Sequence, residues 1–590
     1  MESRGAAMCL AASAESWFVP ALQMLPLAAR RCLVRNPLNG ASMELSSGEY
    51  AVLSACEGCR PLAEHEAQAA KQLSAPEAHR PAFREVLERC AQQGLLISLP
   101  DLVARFGAPS EAAPIPIGGI AIRTADRPNL LARLLASAEA LEGHGAKKRR
   151  WLVFDDSRNA AHEQANRAAI EACPALDVAH FGRGEAAALE DELRAEFPHA
   201  EREIAWLLGA GSAGDATYGR PVNHALLRFA GRPFITVDDD VVLDARRPAL
   251  AEAGFTVSDE TDDLRWYDSE ESLWCDCPPL DIDPLAEHAA WLGMPMAAAW
   301  ARADREAGRL ASIELRGAQG QQFAADARVL FTHNHACGDP GSSVLPTQLL
   351  TLPKRSREWL AANPRATADA FAHRINWRGQ TRLRLAPRRV LTFTTMAGID
   401  NSRLMPPAAR THRSEDVLLG VVAQCMYPAA WLVDLPFGMP HLREAPKQWL
   451  SSADNFMQEP LHVLYGFVDE HAAGIVAESP ERRLAAAAAL LLDVAGMDEA
   501  TLYDALLHHA VDAGSRMLFA IAEQLDDATL PAQWKAQLAP WLKSPALAVD
   551  ADSVRARVLA PVAVRSLAGD YGRAMQAWPR LWECCRERFQ

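Results

Sequence analysis

The sequence predicts an α/β protein built on a mostly parallel sheet. A small winged-helix-like module precedes it and an all-helical region follows. Three observations carry this. Between residues 118 and 245 short apolar runs alternate with helical stretches, the order of a parallel sheet covered on both faces. Two of those runs end in acidic clusters, Asp155-Asp156 and Asp238-Asp239-Asp240. Beyond residue 449 nearly every stretch has an Ala- and Leu-rich helical composition.

Residues 1–107 read as one module. Cys32–Arg35 is strand-like, and Asn36-Pro37-Leu38-Asn39-Gly40 has turn chemistry, so Ala41–Leu45 returns as the second strand of a hairpin. Ser46-Ser47-Gly48-Glu49 caps a helix over Tyr50–Cys56, with Gly58 just past its end. Further helices are expected over Glu64–Leu73 and Pro81–Gln93, the second stopped by Gly94 before Leu95-Leu96-Ile97. Residues 108–117, rich in Ala and Pro, read as a linker.

In the central region, 118–449, strands are expected at Gly119–Arg123, Trp151–Phe154, Leu176–Phe181 and Pro233–Val237. Helices are expected at Arg127–Leu141, with Pro128 in its first turn, and at Asn159–Cys173, Gly184–Phe197 and Pro221–Phe229. In such sheets ligands bind beyond the carboxyl ends of the strands, where both acidic clusters fall. Residues 246–449 are less regular and form a second, longer half. In 450–590 the clearest helical segments are Arg482–Leu492, Ala500–Ala510 and Ser515–Leu525.

The chain has 590 residues, too many for one simple core, with 60 basic and 75 acidic side chains. Its net charge of −15 argues against nucleic acid as a partner, which would need a basic face. The longest uncharged Ala-Leu run, Leu484–Leu492, is far short of the ~20 residues of a membrane-spanning helix. Glu15 interrupts the apolar stretch near the N-terminus, which makes a poor signal peptide. Twelve cysteines in a chain of this length are no disulfide scaffold and read as mostly reduced thiols, so a cytoplasmic location is expected.

Asp238-Asp239-Asp240 is the first chemical signal. On a strand Asp238 and Asp240 point to one side and Asp239 to the other. Two carboxylates at a strand end suit a divalent cation that also holds a diphosphate. The structural alternative is an acidic loop that caps the next segment. Ser258-Asp259-Glu260-Thr261-Asp262-Asp263 is a rival acidic site. His333, His335 and Cys337 alternate within Phe331–Pro340 and with Cys275 and Cys277 offer a zinc set, but their spacing matches no standard zinc motif. A loop lining a substrate cleft, loosened by Gly338, Asp339 and Gly341, is the favoured reading there, with Met396–Asn401 beside it. Cys56 and Cys59 have no second pair of matching spacing and read as buried thiols.

Taken together, several motifs resemble a GT-A glycosyltransferase of the inverting, family-2-like type. They are Ile122-Arg123-Thr124-Ala125-Asp126-Arg127-Pro128, Phe154-Asp155-Asp156-Ser157 and the glycine-rich 209–214 stretch leading to Gly219-Arg220-Pro221-Val222-Asn223. Phe234–Asp240 supplies the Asp-x-Asp motif, Arg413-Ser414-Glu415-Asp416 a Glu-Asp motif, and Gly438-Met439-Pro440-His441 a late histidine. The resemblance implies that Thr124, Arg127, Asp155 and Asp156 surround the nucleoside of a nucleotide-sugar donor, expected to be uridine diphosphate-linked (a UDP-sugar). It puts Arg220, Asn223 and Asp239 near the donor as well. Asp238, Asp240 and His441 would hold Mn2+ or Mg2+, and Asp416, next to Glu415, would be the catalytic base. The N-terminal features, with Cys56-Glu57-Gly58-Cys59 and Gly94-Leu95-Leu96, resemble PqqD-like peptide-recognition modules. That implies a peptide acceptor, with a glycan as the alternative. Rival readings are a non-catalytic peptide-binding scaffold and a nucleotidyltransferase.

Overall fold

The computed structural model describes residues 16–28, 30–109, 115–143, 149–211, 216–339, 350, 352–364, 375–387, 391, 395–443, 460–545 and 547–589. These form a mixed α/β architecture: one twelve-stranded mixed sheet, two three-stranded sheets and a set of C-terminal helices.

Local chemistry sets several element starts. Ser46 accepts from Glu49 N at 3.3 Å while Glu49 returns to Ser46 N at 2.7 Å, a reciprocal cap that starts helix Ser47–Ser54. Asn159 caps Ala160–Glu171 by accepting from Ala161 N at 2.9 Å. The expected N-terminal hairpin is present as Arg31–Arg35 against Ser42–Ser46. A third strand, Gln23–Leu27, joins its edge, exposed along its whole length. Pro26 hides that strand from a sequence reading, because proline is confined to edge strands. A second small sheet places Ser16–Val19 between Gly58–Pro61 and Ile97–Ser98.

The four expected strands of the main sheet lie in the order Phe234–Asp238, Gly119–Thr124, Arg150–Asp155, Asp177–Phe181, all parallel. Chain order therefore reverses between Gly119–Thr124 and Phe234–Asp238. In open α/β sheets such a reversal is the place where ligands bind, beyond the carboxyl ends of the two strands. On the other side of Phe234–Asp238 come Met396–Ile399, Arg328–Gly338, Ala430–His441, Leu383–Ala386, Phe255–Val257 and Leu310–Ile313. Asn376–Gly379 pairs with Arg328–Gly338 and carries Asp263–Trp266 off that path.

Two expectations for the second half are corrected. Phe331–Gly338 is no cleft loop but most of a buried central strand, paired in parallel with Ala430–His441. Pro340 and Gly341 lie outside the described residues. Met396–Ile399 runs antiparallel to Phe234–Asp238, with Ile399 opposite Phe234. This direction carries Asp400 and Asn401 to the end of the sheet away from Asp238. There the Asn401 amide donates to Leu226 O and Phe229 O, both at 2.8 Å.

The C-terminal helices dock on this sheet through one continuous apolar core that joins Leu226, Leu418, Leu484 and Trp578. In helix Pro561–Phe589 the indoles of Trp578 and Trp582 donate to Met405 O (2.6 Å) and Asn401 Oδ1 (3.0 Å), and Tyr571 donates to Pro407 O (2.7 Å). Truncating one such buried aromatic costs about 3–5 kcal/mol. The segments expected at Ala500–Ala510 and Ser515–Leu525 are one helix, Glu499–Asp526, with Gly514 buried inside it. The N-terminal module shares core in the same way. Phe106 stacks on Phe323 with ring centroids 4.8 Å apart and joins a cluster containing Ile120, Val237 and Trp431. Among the described residues no helix is long and apolar enough to cross a membrane. The described cysteines are free thiols, all but Cys275 and Cys584 buried.

Candidate metal centre

The site is built at the strand reversal. Strand Phe234–Asp238 delivers Asp238 at its end, and the chain then turns through Asp239 and Asp240. The next residues run alongside the end of Ala430–His441: Leu442 N donates to Asp240 O at 3.0 Å and Val242 N to Pro440 O at 3.0 Å. This backbone pairing sets Asp240 beside His441, although two hundred residues separate them. Asp238, Asp240 and His441 each offer a ligand atom within 4.8 Å of the others. Among the described residues no other group of three His, Cys, Asp or Glu side chains meets that condition.

His441 is oriented as a ligand would be. Its Nδ1 lies 3.2 Å from Asp339 O, so Nδ1–H donates to the carbonyl and Nε2 is turned inward. Nε2 stands 3.0 Å from Asp240 Oδ1, an oxygen that is buried and accepts no aligned hydrogen bond. Asp339 N in turn donates to His441 O at 3.1 Å. Gly338 permits this approach: its φ is +122°, and a Cβ there would sit 2.6 Å from His441 O. The Gly338-Asp339 pair thus positions the histidine rather than a cleft loop, a role that only the long-range pairing reveals.

Arginines surround the carboxylates. Arg123 pairs with Asp238. Arg127 Nη1 lies 3.0 Å from Asp239 Oδ1 and 3.4 Å from Asp240 Oδ2, and Thr124 donates to Asp239 Oδ2 at 2.8 Å. Arg443 Nη2 is 3.8 Å from Asp240 Oδ2, and Arg133 donates to Asp240 O at 3.1 Å. Burial pushes Asp239 up to about 7 against the pull of Arg127. Burial also raises Asp238, opposed by Arg123 and reinforced by the Asp240 charge. For Asp240 burial works the same way, but His441, Arg127 and Arg443 outweigh it and hold the group at about 2. Two carboxylates sharing one buried site split in this fashion.

The remaining sequence-predicted residues divide. Asp155 is fully engaged: Oδ1 accepts from Ser157 N at 2.9 Å, and Oδ2 from Asn166 at 2.8 Å and His180 at 3.0 Å. Asp156 takes Arg220 and Thr217 as partners. Arg220 also donates through Nε to Leu208 O at 2.5 Å. Asn223 is buried and spent on backbone, donating to Leu207 O (3.2 Å) and Ala408 O (3.0 Å) and accepting from Ala408 N (2.7 Å). Arg220 and Asn223 are therefore engaged within the protein, and Asp156 is tied to Arg220. Ser212, Ala213 and Gly214 of the glycine-rich stretch lie outside the described residues.

Glu415 and Asp416 open helix Glu415–Met426. His412 and Ser414 before them both have φ +71°, a left-handed conformation that costs non-glycine residues energy and concentrates at functional sites. Burial, with Asp416 beside it, pushes Glu415 up to about 8, and the charges of Arg123 and Asp238 act on it too. The charges of Arg123 and Asp238 thus reach Glu415 from the neighbouring carboxylate cluster. Asp416 is half-buried and accepts from Val417 N at 2.8 Å.

The two rival clusters close on themselves. Asp262 is answered by Arg384 (3.0 Å), Arg378 (3.2 Å) and Gln380 (3.0 Å), and Asp263 accepts from Ser356 at 2.9 Å. His333 Nδ1 lies 3.3 Å from Asp434 Oδ1, and Cys337 is buried against Cys277. The Cys56 and Cys59 thiols are buried and each pushed up to about 12 by that burial, which makes them unreactive. No family model, curated protein or solved structure matches this chain. The chemistry of the site is read from its own donor set: two carboxylates and an oriented imidazole, the kind of set that holds a divalent cation, ringed by guanidinium groups suited to phosphate.

Proposed function

We propose that the chain is a GT-A-type glycosyltransferase that moves a sugar from a nucleoside-diphosphate donor, uridine-linked, to a peptide or glycan acceptor with inversion. The observation that carries this reading is the convergence of Asp238, Asp240 and His441 at the strand reversal. The donor set fits Mn2+ or Mg2+, which would neutralise the charge developing on the leaving diphosphate. Thr124, Arg127 and Asp156 stand at the same end of the sheet and supply hydrogen bonds and positive charge for the nucleotide.

In this reading the acceptor hydroxyl attacks the anomeric carbon from the face opposite the diphosphate. The new C–O bond forms as the bond to the phosphate oxygen breaks, and the electron pair leaves with the diphosphate. The hydroxyl proton passes to Asp416, because a sugar or side-chain hydroxyl is a poor nucleophile at neutral pH. A peptide acceptor is favoured by the exposed edge strand Gln23–Leu27, to which an extended segment could add.

Asp416→Asn tests the assignment. Turnover should fall by ~10²–10⁴ while donor binding is kept. Equal loss of both would remove Asp416 from the role of base. Release of the nucleoside diphosphate supports sugar transfer, whereas release of pyrophosphate would make the chain a nucleotidyltransferase.

A further inference from the structure

The carboxylate cluster contains more fixed positive charge than a cation site needs. Arg123 pairs with Asp238, and Arg127 bridges Asp239 and Asp240. A divalent cation held by Asp238 and Asp240 would compete with these guanidinium groups for the charge of the same carboxylates, although Arg127 meets Asp240 at Oδ2 and His441 meets it at Oδ1. Arg127 is also the residue able to leave. Its side chain is 45% exposed, while the carboxylates it bridges are 4% and 3% exposed. It stands at the cap position of helix Pro128–Glu142, whose start has no side-chain cap. A helix N-terminus and an arginine both favour a phosphate group. The loop that carries Arg127 is held firmly. Asp126, at φ +56°, donates through its backbone N–H to Ser157 Oγ at 2.8 Å, and its carboxylate accepts from Asn159 N at 3.1 Å.

We propose that Arg127, assisted by Arg123, is a stand-in cation. It neutralises the carboxylates when no cation is bound and moves to the donor's diphosphate when the divalent cation takes Asp238 and Asp240. This rests on the proposed donor chemistry and adds a coupling to it. Cation and diphosphate favour each other's binding because the arginine that one displaces is the arginine the other requires. Metal alone binds weakly, and the nucleotide drives its entry.

Calorimetry on the full chain tests this with Mn2+ alone, and with Mn2+ plus whichever of UDP, GDP, ADP and CDP binds most tightly. Arg127→Gln should bind Mn2+ alone roughly tenfold more tightly and the nucleotide with Mn2+ roughly tenfold more weakly, the scale of one lost charge-assisted contact. Arg127→Lys, which keeps the point charge, should lie between wild type and Arg127→Gln on both axes. Unchanged or weaker Mn2+ binding by a normally melting Arg127→Gln would overturn the exchange. Absence of any Mn2+-dependent nucleotide binding by the wild-type protein would overturn the donor reading itself.

Discussion

Two buried charged clusters lie along the same strand, Ala430–His441, and differ in how their charges are matched. Around Asp434, Arg384 donates to it through Nε at 2.7 Å and reaches Asp262 with Nη2 at 3.0 Å and Glu260 O with Nη1 at 2.8 Å. Arg378 and Gln380 complete Asp262, and His333 adjoins Asp434. The guanidinium fork there spans both carboxylates, a geometry that leaves no role for a ligand. At the strand's end, Asp238, Asp239 and Asp240 crowd three carboxylates together. Burial pushes Asp239 up to about 7, Asp240 Oδ1 lacks an aligned hydrogen bond, and the bridging arginine is half exposed. A polar cluster that is fully answered from within specifies the fold. One with unevenly matched charge and a half-exposed counter-ion has the composition of a ligand site.

The largest effect should come from breaking the closed cluster. Asp434→Ala leaves Arg384 buried without its main partner and should cost about 3–5 kcal/mol in urea unfolding. A loss below about 1 kcal/mol would show that the cluster does not hold the fold. The open cluster should respond to metal instead. Mn2+ at about a hundred times its dissociation constant should stabilise the wild-type chain by about 2.7 kcal/mol. Asp240→Ala should remove that gain, and a retained gain would put the cation elsewhere. The smallest effect tests the link between the strand end and the site. Gly338→Ala forces a side chain onto φ +122° and against His441 O, at about 1–3 kcal/mol, and should weaken Mn2+ binding as well. A stability loss with unchanged Mn2+ affinity would separate Gly338 from the placement of His441.

How far these features were legible in the sequence follows from the range of the interactions that make them. Caps are local, so Ser46 with Glu49 and Asn159 could be read directly. Strands ending in acidic residues could be read as well, because burial on both faces gives continuous apolar runs. The pairing of Asp240 with His441 was reached through motif order, and the structure supplies the reason in the backbone ladder between residues 240–246 and 438–442. The central strand Arg328–Gly338 is hidden in the sequence because His333, Asn334, His335 and Cys337 give it the composition of a polar loop. Their partners, Asp434, His288 and Cys277, lie tens to a hundred residues away. The partner of Asn223 is hidden from the sequence for the same reason: Ala408, which takes up its amide, is invisible from its own segment.

The central claim is that one site binds a divalent cation and a nucleoside diphosphate together. Calorimetric titration of UDP, GDP, ADP and CDP into the full chain, with and without Mn2+, tests it most directly, repeated with Asp240→Ala. The expected result is one nucleotide that binds only with Mn2+ and is lost in Asp240→Ala. Binding that ignores Mn2+, or that survives Asp240→Ala unchanged, would contradict the assignment of Asp238, Asp240 and His441 as the metal centre of a sugar-transfer site.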